Sequence, residues 1–373
     1  MINQITELAR SLGFHQVGVT SLKNLGPGEQ AIRDWTEQGK HGGMKYLEEF
    51  DRRKRDFFKD FPDAASILVL GVNYYSEEKA EMSSKLSGKV ARYAWGRDYH
   101  QVIAEKHKKL ISEIKKIAGE NFRAKSCVDI QPLPEKFTAQ QAGFGFFGKN
   151  TLLLSKEFGP WMFLSEIVTN LDLQDDAPAK GDCGTCRSCQ SSCPTGALDQ
   201  DYKIDARLCI AYLTIEHKGV IPRELRPKMK DWLFGCDDCI TACPFTSKSK
   251  LTDWPELTAV SGAGPEIKIE DLFEIKSNRE YEEKFKNSAI SRASRKQLLR
   301  NACIVLGNLK KPETAPLLKR ALEDPSELVR LHAAWALGCL PGRESAEILQ
   351  EKLFSETDPG VREEIKLSLK GLP

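Results

Sequence analysis

The chain has 373 residues, 29% of them charged and 40% apolar. It exceeds the ~250–300 residues at which a single core stops growing, so two or more domains are expected. Lys and Arg total 55 against 53 Asp and Glu, and a net charge of +2 excludes neither a nucleic-acid nor a small-molecule partner. No apolar run approaches the length of a membrane-spanning helix, so a membrane partner is not expected.

In chain order, MINQITELARSLGF has the spacing of an amphipathic helix. It lacks the basic start and apolar centre of an export signal, so a cytoplasmic location is expected. FHQVGVT (14–20) predicts a short strand. SILVLGVNY (66–74) is a near-continuous apolar run after Pro62, which suits a buried central strand. The stretch 99–119 places Val102, Ile103, Leu110, Ile111, Ile114 and Ile117 at helical spacing with lysines opposite, predicting one long amphipathic helix. SCVDI (126–130), TLLLS (151–155) and FLSEIVTN (163–170) supply further strands. Residues 1–175 therefore read as an α/β domain, a sheet covered by helices, and a reaction centre is expected there.

GFGFFGK (143–149) meets the spacing of a dinucleotide loop, but Asn150 leads directly into TLLLS and leaves no helix to follow. Turns beside some other bound group are the better reading.

Eleven cysteines are the unusual feature, and eight of them lie between Cys183 and Cys243. An odd total without an export signal argues against a disulfide framework. CGTCRSCQSSCP sets Cys183, Cys186, Cys189 and Cys193 at C-x2-C-x2-C-x3-C-P. At that spacing three thiolates cap one cubane and the fourth serves a second cluster. CDDCITACP adds Cys236, Cys239 and Cys243, one cysteine short of the same pattern. Two [4Fe–4S] clusters need eight thiolates, and Cys209 in DARLCIAYLT is the available eighth. Crossed ligation then gives Cys183, Cys186, Cys189 and Cys243 to one cluster, and Cys193, Cys209, Cys236 and Cys239 to the other. Structural zinc is the alternative, which this CP-terminated spacing disfavours. Cys127, Cys303 and Cys339 sit in apolar contexts and read as buried small side chains. Residues 176–250 thus form a ferredoxin-like double-cluster module.

A mixed connector follows over 251–290. The remainder, 291–373, repeats: RNACIVLGN starts at Arg300, RLHAAWALG at Arg330, and VREEIKLSL carries Arg362 near the matching place. The period and small-residue spacing resemble HEAT-like helix pairs, here an all-α tail of two to three units. Residues 291–335 hold nine basic residues against four acidic ones, and 336–373 reverse that balance. A phosphate-binding face and a solvated helix surface both fit that excess.

RYAWGRDYH (92–100), VDIQPLPEK (128–136), AGFGFFGKN (142–150), the first cysteine run, YLTIEHKG (212–219) and GCDDCITACP (235–244) occur in one order. Together they resemble epoxyqueuosine reductase over the whole chain. The resemblance implies reduction of epoxyqueuosine to queuosine at the tRNA wobble position, the last step of queuosine biosynthesis. It implies two [4Fe–4S] clusters, a cobalamin resting as cob(II)alamin, and an external low-potential electron donor. Asp129 falls where the family has its proton donor, and a carboxyl beside an apolar corrin face suits a general acid. The bare residue reads equally as an Asp capping the next turn.

The resemblance also places Arg55, Arg92, Tyr99, His100, Asp129, Lys149, Asn150, Leu153, Glu216 and His217 around the cofactor. Arg55 shares its charged run with Arg52 and Arg53, and His100 could instead pack at the start of the long helix. No D-x-H-x-x-G segment is present to supply a lower cobalt ligand. A tRNA substrate turns the basic stretch into an expected phosphate contact through Arg292, Arg295, Lys296, Arg300 and Arg330. A corrinoid reductive dehalogenase, a double-cluster electron carrier and a tRNA-binding scaffold are the competing readings. A monomer is expected.

Overall fold

The computed structural model describes residues 1–76 and 86–370. They gather into two compact units that are not consecutive in sequence. The first takes 1–76, 96–207 and 237–261; the second takes 86–95, 208–236 and 262–370. The chain thus changes unit inside the expected α/β domain, inside the cysteine module and again near residue 261.

The first unit is built on a four-stranded antiparallel sheet, in the order Gln16–Ser21, Ser66–Asn73, Met162–Thr169, Ala124–Cys127. Every residue of Ser66–Asn73 is buried, as its unbroken apolar run requires of a strand covered on both faces. The helix Ile2–Ser11 lies against the edge strand Gln16–Ser21, and Tyr99–Ala118 covers Ala124–Cys127. That long helix starts where expected because Asp98 caps it, its carboxylate accepting the His100 N–H at 3.0 Å. His107 fixes it from within, bridging Ser126 Oγ at 2.8 Å and Ser165 Oγ at 3.0 Å. Burial pushes that imidazole down to about 3, so it bridges as a neutral ring.

Two local expectations change. SCVDI does not run as a strand to residue 130: pairing with Met162–Thr169 ends at Cys127, and Asp129 turns to φ 61°. GFGFFGK is one arm of a hairpin, Gly145–Phe147 against Leu153–Ser155, with Lys149 and Asn150 in its connection. Gly145 sits so close to the Leu154 carbonyl that a Cβ would lie 2.3 Å from it, which explains the glycine by packing alone. The cysteine-bearing segments of this unit carry only short helices, Ser188–Ser192 and Asp238–Thr241.

The second unit has a three-stranded sheet in the order Trp232–Phe234, Ser87–Val90, Glu266–Lys268. Its remainder is helical, with Arg295–Leu309, Glu327–Leu337 and Pro359–Leu369 in succession, matching the three repeat starts. Small residues set the spacing: a Cβ on Gly307 would meet Trp335 at 2.8 Å, and one on Gly338 would meet Ser368 at 2.6 Å. Among the described residues no helix is long and apolar enough to cross a membrane.

An acid turn and a cysteine-lined cavity

The turn after Ala124–Cys127 gathers polar groups from three elements of the first unit. Tyr99 Oη donates to Asp129 Oδ2 at 2.9 Å, and His100 Nε2 lies 3.3 Å from the same oxygen. The other ring nitrogen of His100 meets Asp98 Oδ1 at 2.7 Å. Tyr99 and His100 stack at 4.0 Å between centroids, and Tyr99 stacks on Phe163 at 4.2 Å, which locks both donors in place. Burial pulls the His100 imidazole down, but its bonds to Asp129 and Asp98 outweigh this and push it up to about 9. It is therefore an imidazolium at neutral pH, donating from both nitrogens to two carboxylates.

The backbone of the turn is held as well. Arg53 donates to the Ile130 carbonyl at 2.7 Å, Gln131 Oε1 accepts the Val128 N–H at 3.0 Å, and Glu135 Oε1 accepts the Asp129 N–H at 2.6 Å. Arg53 is thus the member of the charged run that reaches the acid turn; Arg55 is exposed on the helix Phe50–Lys59. Asp129 is 57% exposed at its side chain and Ile130 is 61% exposed. The turn presents a carboxyl and an apolar side chain to solvent together. The expected apolar setting for Asp129 is not what the protein itself supplies, because its neighbours are hydrogen-bond donors.

Cys183, Cys186, Cys189 and Cys243 line one cavity of about 150 Å³ in the first unit, with Lys149, Asn150, Leu154, Pro244 and Phe245. The set is the one that crossed ligation requires. The Lys149 N–H points to Cys183 Sγ at 3.4 Å, and Ser188 lies 3.5 Å from Cys186 Sγ. Hydrogen bonding by Ser188 lowers the Cys186 thiol, while burial raises Cys189 and Cys243. Asn150 is 3% exposed, and its Nδ2 has no acceptor among the described residues. Lys149 is also buried and pairs through Nζ with Asp201 at 3.0 Å. Leu153 is buried in the hairpin strand and belongs to the sheet's apolar core. Among the described residues, no three His, Cys, Asp or Glu side chains converge as a single metal ion demands.

Cys193 and Cys239 belong to the first unit; Cys209 and Cys236 belong to the second, where Cys209 immediately precedes the helix Ile210–Ile215. Cys127 and Cys303 are fully buried and their thiols are raised by burial, as expected of bystanders. Cys339 is partly buried and shifted the same way.

The remaining expected residues lie in the second unit. Arg92 stacks over Trp95 at 4.4 Å. Glu216 accepts from Arg292 Nε at 2.8 Å, and His217 Nε2 meets the Val220 carbonyl at 3.0 Å.

Three of the five residues expected to touch tRNA are engaged inside the protein. Arg300 is 0% exposed, its guanidinium donating to the carbonyls of Leu213, His217 and Gly219. Arg295 pairs with Asp324 at 2.7 Å and Arg330 with Glu356 at 2.8 Å, both largely covered. Charge counting along the sequence could not separate these from Arg292 and Lys296, which are exposed. Sequence reading also missed Glu135 and Glu166; the signal for Glu166 was a lone acid inside the apolar strand FLSEIVTN.

A family model described as "Epoxyqueuosine reductase QueG, DUF1730" matches residues 55–130. A "4Fe-4S double cluster binding domain" matches 182–246, and "HEAT repeats" match 287–370. An epoxyqueuosine reductase of Xanthomonas campestris is 35% identical over 341 residues, covering 90% of this chain and 94% of its own. The Escherichia coli epoxyqueuosine reductase is 34% identical over 381 residues, covering 100% and 97%. A solved epoxyqueuosine reductase carrying a tRNA-Tyr epoxyqueuosine-modified stem loop superposes with a TM-score of 0.87 at 30% identity, over 99% of this chain and 98% of that one. The Bacillus subtilis epoxyqueuosine reductase, solved with its catalytic aspartate loop swung out of the active site, gives 0.88 at 30%, over 100% and 99%.

Proposed function

The chain belongs to the epoxyqueuosine reductase family, and from that premise we propose that it reduces epoxyqueuosine to queuosine at the wobble position of tRNA, with Asp129 supplying the proton. The observation that carries the assignment of the acid is the solvent-facing Asp129 carboxyl, bonded by Tyr99 at 2.9 Å and by His100 at 3.3 Å.

Removing an epoxide oxygen as water consumes two electrons and two protons. Cobalamin, when bound, supplies a low-valent cobalt centre for this chemistry, and the clusters deliver single electrons from an external low-potential donor. The chain's own residues manage the protons and the geometry. His100 and Asp129 hold one proton between them at neutral pH, since His100 is charged up to about pH 9. Moving that proton onto the departing oxygen through Asp129 leaves the imidazole neutral, with Asp98 still orienting its Nδ1–H, and the second proton comes from solvent through the exposed Asp129 carboxyl. The Tyr99 hydroxyl keeps the carboxyl aimed while its proton moves.

The cysteine cavity fits a polynuclear group. Its four thiols surround a space, the Lys149 N–H already points at one sulfur, and Asn150 Nδ2 is a buried donor without an acceptor among the described residues, which an inorganic sulfide would supply. The first [4Fe–4S] cluster is therefore held by Cys183, Cys186, Cys189 and Cys243. The second is assigned by spacing to Cys193, Cys209, Cys236 and Cys239. The exposed Ile130 beside Asp129 would suit the apolar face of a corrin, with Tyr99 and His100 holding the acid on the same turn.

The tRNA backbone is contacted by exposed basic side chains on the helical tail, of which Arg292 and Lys296 remain. An anticodon loop is already single-stranded, so presenting the wobble base needs no duplex opening. Anaerobically prepared protein should hold about eight irons and one cobalt per chain. Asp129→Asn should keep both metals and lose turnover by about 10²-fold or more. Full turnover in that variant removes Asp129 from the acid role.

A further inference from the structure

Behind the acid turn lie two carboxyls that the reaction as described does not use. Glu166 is the one charged residue of the strand Met162–Thr169, at the position register-paired with Cys127, the last strand residue before the turn. It is 0% exposed, and neither of its oxygens meets an N–H or hydroxyl donor among the described residues. Its carboxyl faces that of Glu135 within hydrogen-bonding reach, so a proton held between the two is the bond this site offers. Glu135 in turn accepts the Asp129 N–H at 2.6 Å, the shortest of the bonds that fix the turn's backbone.

A core strand has no packing use for such an acid; an isovolumetric apolar residue would avoid the desolvation altogether. The turn, in contrast, has a use for it. Asp129 sits at φ 61°, a left-handed conformation that costs a non-glycine residue about 1 kcal/mol and needs something to hold it. We propose that Glu135 and Glu166 are positioning residues, a half-buried and a buried carboxyl joined through a proton, whose Glu135 end latches the Asp129 turn in the conformation that Tyr99 and His100 bind. The proposal rests on the reading of Asp129 as the proton donor, and it concerns the position of that residue, not the transfer itself.

The surroundings decide how the latch responds to pH. Asp129 and His100 face Glu135 from the turn and from the long helix, and Cys127 faces Glu166 across the sheet. Lys125 lies beyond Cys127, and Lys136 is next along the helix, its Nζ bonded to the Thr151 carbonyl at 2.9 Å. Burial raises both carboxyls, Glu135 to about 8 and Glu166 well above its usual range, and Asp129 adds to each shift. Both groups are acids raised on folding, so the pair is protonated through the neutral range, and Glu135, the lower of the two, ionises first as the pH rises through about 8. The Asp129 N–H bond favours the ionised Glu135, so the latch persists through that step while Glu166 keeps its proton.

Hydrogen–deuterium exchange of the peptide spanning 128–131 in the full-length enzyme, corrected for intrinsic rates, reads the latch without reading catalysis. Glu135→Ala should speed exchange there about tenfold at pH 7 and lower kcat with little change in KM. Glu135→Gln keeps a carbonyl acceptor and should restore the protection. Glu166→Gln still offers Glu135 a donor and should leave the exchange near wild type, whereas Glu166→Leu removes that donor and should speed it. Unchanged exchange in a folded Glu135→Ala protein overturns the latch. If that variant does not fold, unchanged exchange in a folded Glu166→Leu protein overturns it instead. Asp129→Asn separates the two claims: normal turnover there sinks the proton-donor reading, whereas the exchange data stand or fall without it.

Discussion

His100 is the residue whose ionisation most directly governs the acid turn. A histidine pushed up from 6.5 to about 9 stabilises the fold fully below about pH 6.5, and that contribution is lost as pH rises toward and through 9. The His100 ring resonances should therefore titrate with a midpoint near 9, and Asp129→Asn should bring the midpoint down by removing one of two carboxylate partners. A wild-type midpoint near 6.5 would mean that the ring does not share a proton with Asp129. At this scale the sequence named three residues that the structure brings together, Tyr99, His100 and Asp129, but through family resemblance. Spacing alone could not show that a turn at φ 61° brings a residue 30 positions downstream onto the Tyr99 hydroxyl. It also could not tell Arg53 from Arg55, because adjacent basic residues on one helix differ only in the direction they face.

Among elements, the first helix of the tail, Arg295–Leu309, has a role that its charge concealed. Arg300 is buried without a carboxylate, and desolvation lowers it to about 9. Its five donors are taken up by Asn301 and by carbonyls of the 213–219 segment, and Gln297 and Asn301 reach further carbonyls of the same stretch. The helix is therefore a clamp on the backbone that follows Cys209, and Arg300 is a structural residue. Arg300→Met should lower stability by about 3 kcal/mol in a denaturant melt, since it strands several buried carbonyls at once. It should leave the salt dependence of tRNA binding unchanged. Lysine should rescue poorly, because one ammonium cannot span a fork of carbonyls. A variant with wild-type stability would contradict the clamp.

The repeat helices themselves were legible because their small residues recur where helices touch, as Gly307 against Trp335 shows. Arginine burial was not legible, because a basic residue on an interior face and one on an exterior face differ by only a few positions in the heptad. The exposed pair makes the complementary prediction. Removing charge at Arg292 and Lys296 should weaken tRNA binding and reduce the magnitude of its log–log salt slope by about one unit for each phosphate left unneutralised. Unchanged affinity and slope would exclude that face.

For the whole molecule, the order of motifs along the chain is a good guide to chemistry and a poor one to compactness. Eight cysteines in one window suggested a self-contained module, yet these cysteines divide between two compact units. The reason is physical: the stretch 208–236 buries apolar residues such as Ile210, Leu213, Leu233 and Phe234 in the second unit's core, while the cysteine runs on either side of it carry few. Four of the eight nevertheless line one cavity, and two of the three outside the window are fully enclosed.

The central claim is the reaction, and one assay addresses it directly. Protein carrying its irons and cobalamin, given a strong reductant and tRNA containing epoxyqueuosine, should yield queuosine on nucleoside analysis, one product per substrate consumed. Epoxyqueuosine recovered intact from protein with full metal content would contradict the account.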